Sequence, residues 1–324
     1  MTSSQGFQSQ VYVQPAPAVE GDYASTNPRA TVLAGPGNLV AGLNGVRIGR
    51  FAWVSNVDQD ANSAPGYVTN LGGTGAGNVG SVAGFVHREQ QGLITDYLVE
   101  AGMVIKPGFG VTLMSAGDFW VKNSGTTQAF VGNKAYANFA DGSITFAATG
   151  LPTTGTASGS AGPQTASFTG ALAGNILTVT AVANGTLVNG MTLTASGTAT
   201  ATGTQIAGQL SGTVGGVGIY AVNIGEQTIG STTFTGSVGL LTVTGTGVTG
   251  LGIGVTLTGT GFNAATVITQ LGTGTGGAGT YYINPAQTAG ATTITFNQNV
   301  ETKWVAQSEG LAGELVKISS WLLG

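Results

Sequence analysis

Cysteine is absent from the 324 residues, so disulfides and zinc–thiolate sites are excluded and the redox compartment is left open. Charge is scarce as well: Asp, Glu, Lys and Arg make up 7 % of the chain, against about 25 % in ordinary soluble domains. With a net charge of -4 there is no positive field to neutralise phosphates, which excludes direct nucleic-acid binding. The only imidazole is His87, too little for a dedicated metal cage. Apolar runs are short and broken by Gly and Thr, well under the roughly 20 residues of a spanning helix, so no membrane segment is expected. No Lys or Arg precedes Arg29 and no apolar core follows the first residues, which argues against a Sec signal. The expectation is a chain that stays in the cytoplasm where it is made, or leaves by lysis.

What is abundant is Thr, Ser, Asn, Gln and Gly, the last at 57 positions, while hydrophobic residues reach 41 %. This is a strand-and-turn composition, and it predicts an all-β fold. Its distribution is uneven. All 9 Lys and Arg lie outside 151–300, and between Asp141 and Glu301 the one charged residue is Glu226. The four Trp and His87 share the charged regime, 1–150 with 301–324.

Inside the uncharged regime a pattern recurs. Leu177-Thr178-Val179-Thr180 returns as Leu241-Thr242-Val243-Thr244, Gln209-Leu210 as Gln270-Leu271, and Thr232-Thr233-Phe234 as Thr292-Thr293-Ile294, at spacings of about 60 to 64 residues. Apolar and hydroxyl residues alternate within each copy, as half-buried strands require and flexible linkers do not. The reading is a β-barrel or β-sandwich body with two inserted small β-repeat modules, 151–236 and 237–300. The body would comprise 29–150 plus 301–324, preceded by an extended arm over 1–28.

In the body, strand candidates are Ala30–Leu33, Val46–Val54, Ser81–Val86, Val111–Met114, Phe119–Val121, Ala135–Phe139 and Ser143–Ala147, with Asp141-Gly142 as a hairpin turn. Leu93–Ala101 suits a short helix or a strand equally. The charged, Trp-bearing segments 301–306 and 314–319 are expected to pair back into the body.

No motif carries chemistry. His87-Arg88-Glu89 reads as a surface or strand-end imidazole in an ion-pair setting. Gly272–Gly277 satisfies G-x-G-x-x-G, but Tyr281-Tyr282-Ile283 follows as a strand and no acid appears before Glu301, so it reads as a glycine hairpin. The repeats hold no Asp to ligate calcium. Glu89, Asp96, Glu100 and Asp118 could form a glycosidase pair, but such neighbours arise by chance among 13 acids. No enzyme, cofactor or metal site is expected.

Contacts with other chains are expected instead at the arm and tail, through Tyr12, Pro15, Pro17, Tyr23, Arg29, Trp321 and Leu322. The prolines keep the arm extended, and the tail leaves large apolar groups at a chain end.

Taken together, QSQVYVQPAPAVEGDYASTNPRATVLAGPGNLVAG, Ile48-Gly49-Arg50-Phe51-Ala52-Trp53, GFVHREQQGLITDYL, GDFWVKNSG, KAYANFADGSITFA and ETKWVAQSEGLAGELVKISSW resemble the structural cement proteins of tailed-phage heads over about 1–150 and 301–324. That resemblance implies a virion protein on the outer capsid surface, assembled in the host cytoplasm. It would bind the major capsid protein lattice, commonly as a trimer, and stabilise the head, with the repeats projecting outward. The alternatives are a tail or fibre component, or an adhesin whose Tyr220, Tyr281 or Tyr282 would stack on host glycans.

Overall fold

The computed structural model describes residues 18–34, 38–42, 44–55, 66–72, 82–89, 102–225 and 227–321. Among these residues there are strands and turns but no helix, so the chain is all-β. The first eleven strands are β1 (Ala30–Thr31), β2 (Leu39–Ala41), β3 (Val46–Arg47), β4 (Phe51–Ser55), β5 (Gly66–Thr69), β6 (Gly84–Val86), β7 (Val104–Ile105), β8 (Leu113–Ala116), β9 (Asp118–Lys122), β10 (Lys134–Asn138) and β11 (Ile144–Ala147). Six of them form one sheet in the order β1-β8-β6-β4-β5-β2, while β3 and β7 pair separately. The expected strand Val46–Val54 is broken in two because Gly49 turns at φ +79°, where a Cβ would press on Glu20. Leu93–Ala101 lies outside the described residues.

Ten further strands follow: β12 (Thr154–Gly174), β13 (Ile176–Asn184), β14 (Thr192–Ala195), β15 (Ile206–Gly212), β16 (Gly218–Val222), β17 (Gln227–Thr244), β18 (Thr256–Gly259), β19 (Thr266–Leu271), β20 (Gly279–Asn284) and β21 (Ala289–Asn297). Their pairings close two rings. The distal ring runs from the second half of β12 through β13, β16, β15, β14 and the first half of β17, with Thr192↔Gln205 linking β14 to β15. The proximal ring runs from the first half of β12 through β21, β18, β19, β20 and the second half of β17. Each ring is a small barrel without a free sheet edge.

The two long strands belong to both barrels and pair with each other from Ser158 to Gly174. Gly159 faces Val243 and Thr292 across the ladders, and Gly170 faces Val179 and Thr232, so positions 11 apart in β12 hold equivalent places. An odd offset reverses side-chain direction in a strand. Accordingly Ala157 and Ala161 fill the proximal barrel, whereas Ala166, Phe168 and Leu172 fill the distal one. The barrels therefore use opposite faces of one ribbon. Pro163 sits between the stretch of β12 that pairs with β21 and the stretch that pairs with β13, where its missing N–H disrupts no second ladder.

Details recur between the barrels. Leu177↔Tyr220 and Leu241↔Tyr281 are equivalent pairs, and each Tyr hydroxyl donates to a glycine carbonyl four residues earlier, at Gly216 and Gly277, over 2.6 Å. Gln227 donates to the Thr204 hydroxyl as Gln287 does to Thr266, both at 3.0 Å. Gly272–Gly277 lies in the turn joining β19 to β20.

The last strands, β22 (Asn299–Ala306) and β23 (Leu315–Ser319), complete a five-stranded sheet in the order β11-β10-β22-β23-β9. The proximal barrel sits on the β10–β11 hairpin loop: the Phe139 amide donates to Gln298 O, and Gly252 lies so close to Phe139 that a Cβ there would meet its carbonyl. Its interior forms one apolar cluster with that sheet, containing Phe51, Phe139, Trp304, Leu241 and Phe296, while the distal barrel has a cluster of its own around the stacked Phe168 and Phe234.

Candidate interaction surfaces

Five buried side-chain atoms among the described residues lack a partner, on Trp53, His87, Arg88, Asp118 and Trp304. No group of three or more His, Asp or Glu fit to hold a metal is found among the described residues. His87 lies at the end of β6, but it is buried rather than on the surface, with 5 % of its area exposed. Its Nε2 is 3.5 Å from Glu89, and burial holds its pKa below the ordinary imidazole value, outweighing that carboxylate.

Tyr23 and Arg29 are turned toward the chain's own body. Residues 21–24 run along β9 as an added edge strand: the Gly21 amide donates to Trp120 O, the Trp120 amide to Asp22 O and the Ala24 amide to Asp118 O. The Tyr23 ring lies 5.1 Å from His87 and 5.6 Å from Phe119, with the Arg29 guanidinium 4.0 Å above it. Ser25 and Asn27 each donate to Asp118 Oδ2 at 2.6 Å. Burial raises the Asp118 pKa, but donors from Ser25, Ser319 and Asn27 outweigh it and leave the carboxyl below its ordinary value. Trp321 is 44 % exposed and stands beside the junction of β9 with β23. Tyr12, Pro15, Pro17 and Leu322 lie outside the described residues.

The glycan-stacking alternative loses two of its three rings. Tyr220 and Tyr281 are buried inside the barrels, and burial raises both hydroxyl pKa values. Tyr282 packs partly against the distal core.

A surface not anticipated from the sequence stands at the far end of the five-stranded sheet. The barrels attach where Asn138 pairs with Asn299, whereas the loops 123–133 and 307–314 leave from the opposite end, beyond Lys134 and Ala306. The buried Asn123 staples these loops together. Its Nδ2 donates to the carbonyls of Thr127, Gly310 and Leu311, and its Oδ1 accepts from the Gly125 amide. Ala129 pairs with Gly310 and points inward. Strand alternation then sends Phe130 and Leu311 outward on the same side. Phe130, Val131 and Leu311 are 52 %, 54 % and 55 % exposed. The available sequence signal was Phe130-Val131 before Gly132-Asn133, an apolar pair entering a polar turn.

Comparison with known proteins gives this geometry its setting. No curated protein matches the chain. The family model described as XM1 gp53 minor capsid protein matches residues 7–181, running past the compositional change at 150, across β12 and into β13. That match takes in more than half of the 324 residues, and the chain belongs to this family of phage minor capsid proteins, structural components of the virion.

Proposed function

We propose that the protein is a cement subunit that binds the outside of the major capsid protein lattice through the paired loops 123–133 and 307–314, with the two barrels pointing away from the shell. The observation that carries this reading is the loop pair itself. Asn123 and the Ala129–Gly310 bridge hold the two loops together, yet the pair presents Phe130, Val131 and Leu311 to the outside. Order in the unbound state lowers the entropic cost of association, and large apolar groups in such a setting are the usual anchors of an interface. Glu309 and Glu314 belong to the same loop pair, and in this reading the apolar side chains supply the contact by shape and area, multiplied over many symmetric copies. In this reading the subunits act as trimers, and their contribution is to the stability of the head, with no turnover.

The test is binding of the full chain to shells assembled from the cognate major capsid protein, read by co-sedimentation and cryo-electron microscopy. The double variant Phe130→Ala with Leu311→Ala is expected to weaken binding by at least about tenfold while leaving the thermal unfolding of the isolated chain unchanged. Unaltered binding by a folded variant, or density for the chain on the inner face or the tail, would overturn the proposal.

A further inference from the structure

Ion pairs are few in a chain this poor in charge, and two of the four between described side chains fasten one short segment. Glu20 lies 3.7 Å from Arg47, and Asp22 lies 3.0 Å from Arg88. The same segment, 18–29, adds its edge-strand hydrogen bonds to β9, the Ser25 and Asn27 contacts to Asp118, and Tyr23 laid on His87. Most of these fastenings depend on protonation state, and a buried imidazole lies under the central ring.

We propose that residues 18–29 form an acid-labile latch, docked on β9 and His87 at neutral pH and released from the body when the imidazole takes up a proton. The groups that act on the imidazole come from the latch, from its own turn, from β9 and from the Thr112 backbone. From the latch come Arg29, stacked on the ring that covers His87, and Asp22, bound to Arg88; from the imidazole's own turn come Arg88 and Glu89; from β9 comes Asp118. Glu89 and the Thr112 backbone favour the imidazolium, but burial together with the Arg29 guanidinium outweighs them, so a proton taken up here makes a poorly compensated buried cation. Opening the latch returns the charged ring to water.

The sign follows from linkage. His87 binds its proton less readily when folded, so its contribution to docking is complete above the ordinary value of 6.5 and is lost as the pH falls toward the folded value. Asp118 acts in the same direction further down: its contribution is complete above 3.8 and is lost as the carboxyl is protonated. Acid therefore weakens the latch twice, and the barrels, built almost without ionisable groups, stay closed.

The experiment is hydrogen–deuterium exchange of the full chain at pH 7.5, 6 and 5, corrected for intrinsic exchange, following 18–29, 118–122 and, as an internal reference, 166–174. Protection in the first two is expected to fall at least about tenfold by pH 5, with the reference unchanged. His87→Gln, which cannot be protonated, is expected to keep the latch protected at pH 5. Glu89→Gln, at an exposed position, removes the group favouring the imidazolium and is expected to move release to higher pH. Retention of wild-type protection at pH 5 would overturn the proposal, as would equal loss in the reference. So would release of Glu89→Gln at the wild-type pH, a measurement that stands even if His87→Gln fails to fold.

Discussion

The two barrels are built from the same ring of strands, with the same buried tyrosines and the same Thr–Gln pairs, yet they fill their interiors differently. In the distal barrel β12 contributes Phe168 and Leu172, with Phe168 stacked on Phe234 at 5.5 Å. At the equivalent places of the proximal barrel it contributes Ala157 and Ala161, and the space is taken by Phe296 and Ile294. The distal core closes on itself; the proximal core continues into the five-stranded sheet through Phe139 and Trp304. One ring can thus serve as a free-standing unit or as an extension of a neighbour's core, depending on which strand carries the bulk. What must be kept is total volume, not the identity of the residue at any one place.

The largest test of this contrast removes one ring from each core. Phe168→Ala and Phe296→Ala are each expected to cost about 3–5 kcal/mol. The loss should stay within the distal barrel for the first and spread to β10 and β22 for the second, as hydrogen exchange by segment will read. Equal spreading from both would remove the distinction between the cores. A smaller effect is expected from overfilling. A Cβ at Gly159 would stand 2.9 Å from Ile294 Cδ1, and one at Gly162 meets nothing within 4 Å. Gly159→Val is then expected to destabilise by about 1–3 kcal/mol and Gly162→Val by less than about 0.5 kcal/mol, measured by denaturant melts. The smallest difference separates the tyrosines. Tyr220→Phe loses one hydrogen bond, for about 0.5–1.5 kcal/mol. Tyr281 also accepts from the buried Gly276 amide at 3.2 Å, so Tyr281→Phe leaves a donor unpaired and is expected to cost about 1–3 kcal/mol.

These elements were unequally legible in the sequence. The alternation of Leu177 with Val179, and of Leu241 with Val243, identifies strands because each places one face in a core. β12 escaped notice: its inward positions in the proximal barrel are Gly155, Ala157, Gly159 and Ala161, and so small a set shows no apolar stripe. Its length comes from pairing with β17, a non-local fact. The division at residue 236 falls within β17, because composition does not reveal that one strand can end one barrel and begin the next. For the contact surfaces, the sequence signal lay in chain ends rich in Tyr, Pro and Trp, while Phe130 and Leu311, 181 positions apart, carry no joint signal without the Ala129–Gly310 bridge that sets them on one face. His87 was expected as a surface or strand-end imidazole in an ion-pair setting; it does stand at the end of β6 beside Glu89, but the fold buries it under Tyr23, from 64 positions upstream.

The shared ribbon has a mechanical meaning. Any pull between the body and the tip of the distal barrel runs along two unbroken strands, β12 and β17, whose mutual ladder extends from Ser158 to Gly174. Tension applied at the same end of both strands would peel an ordinary hairpin open one bond at a time. Here the ladder's flanks are held by β13 and β14 in one barrel and by β21 and β20 in the other, so the load is carried in shear by many hydrogen bonds at once. The insert is in this sense a strut rather than a string of beads, and its stiffness does not depend on any linker between the barrels.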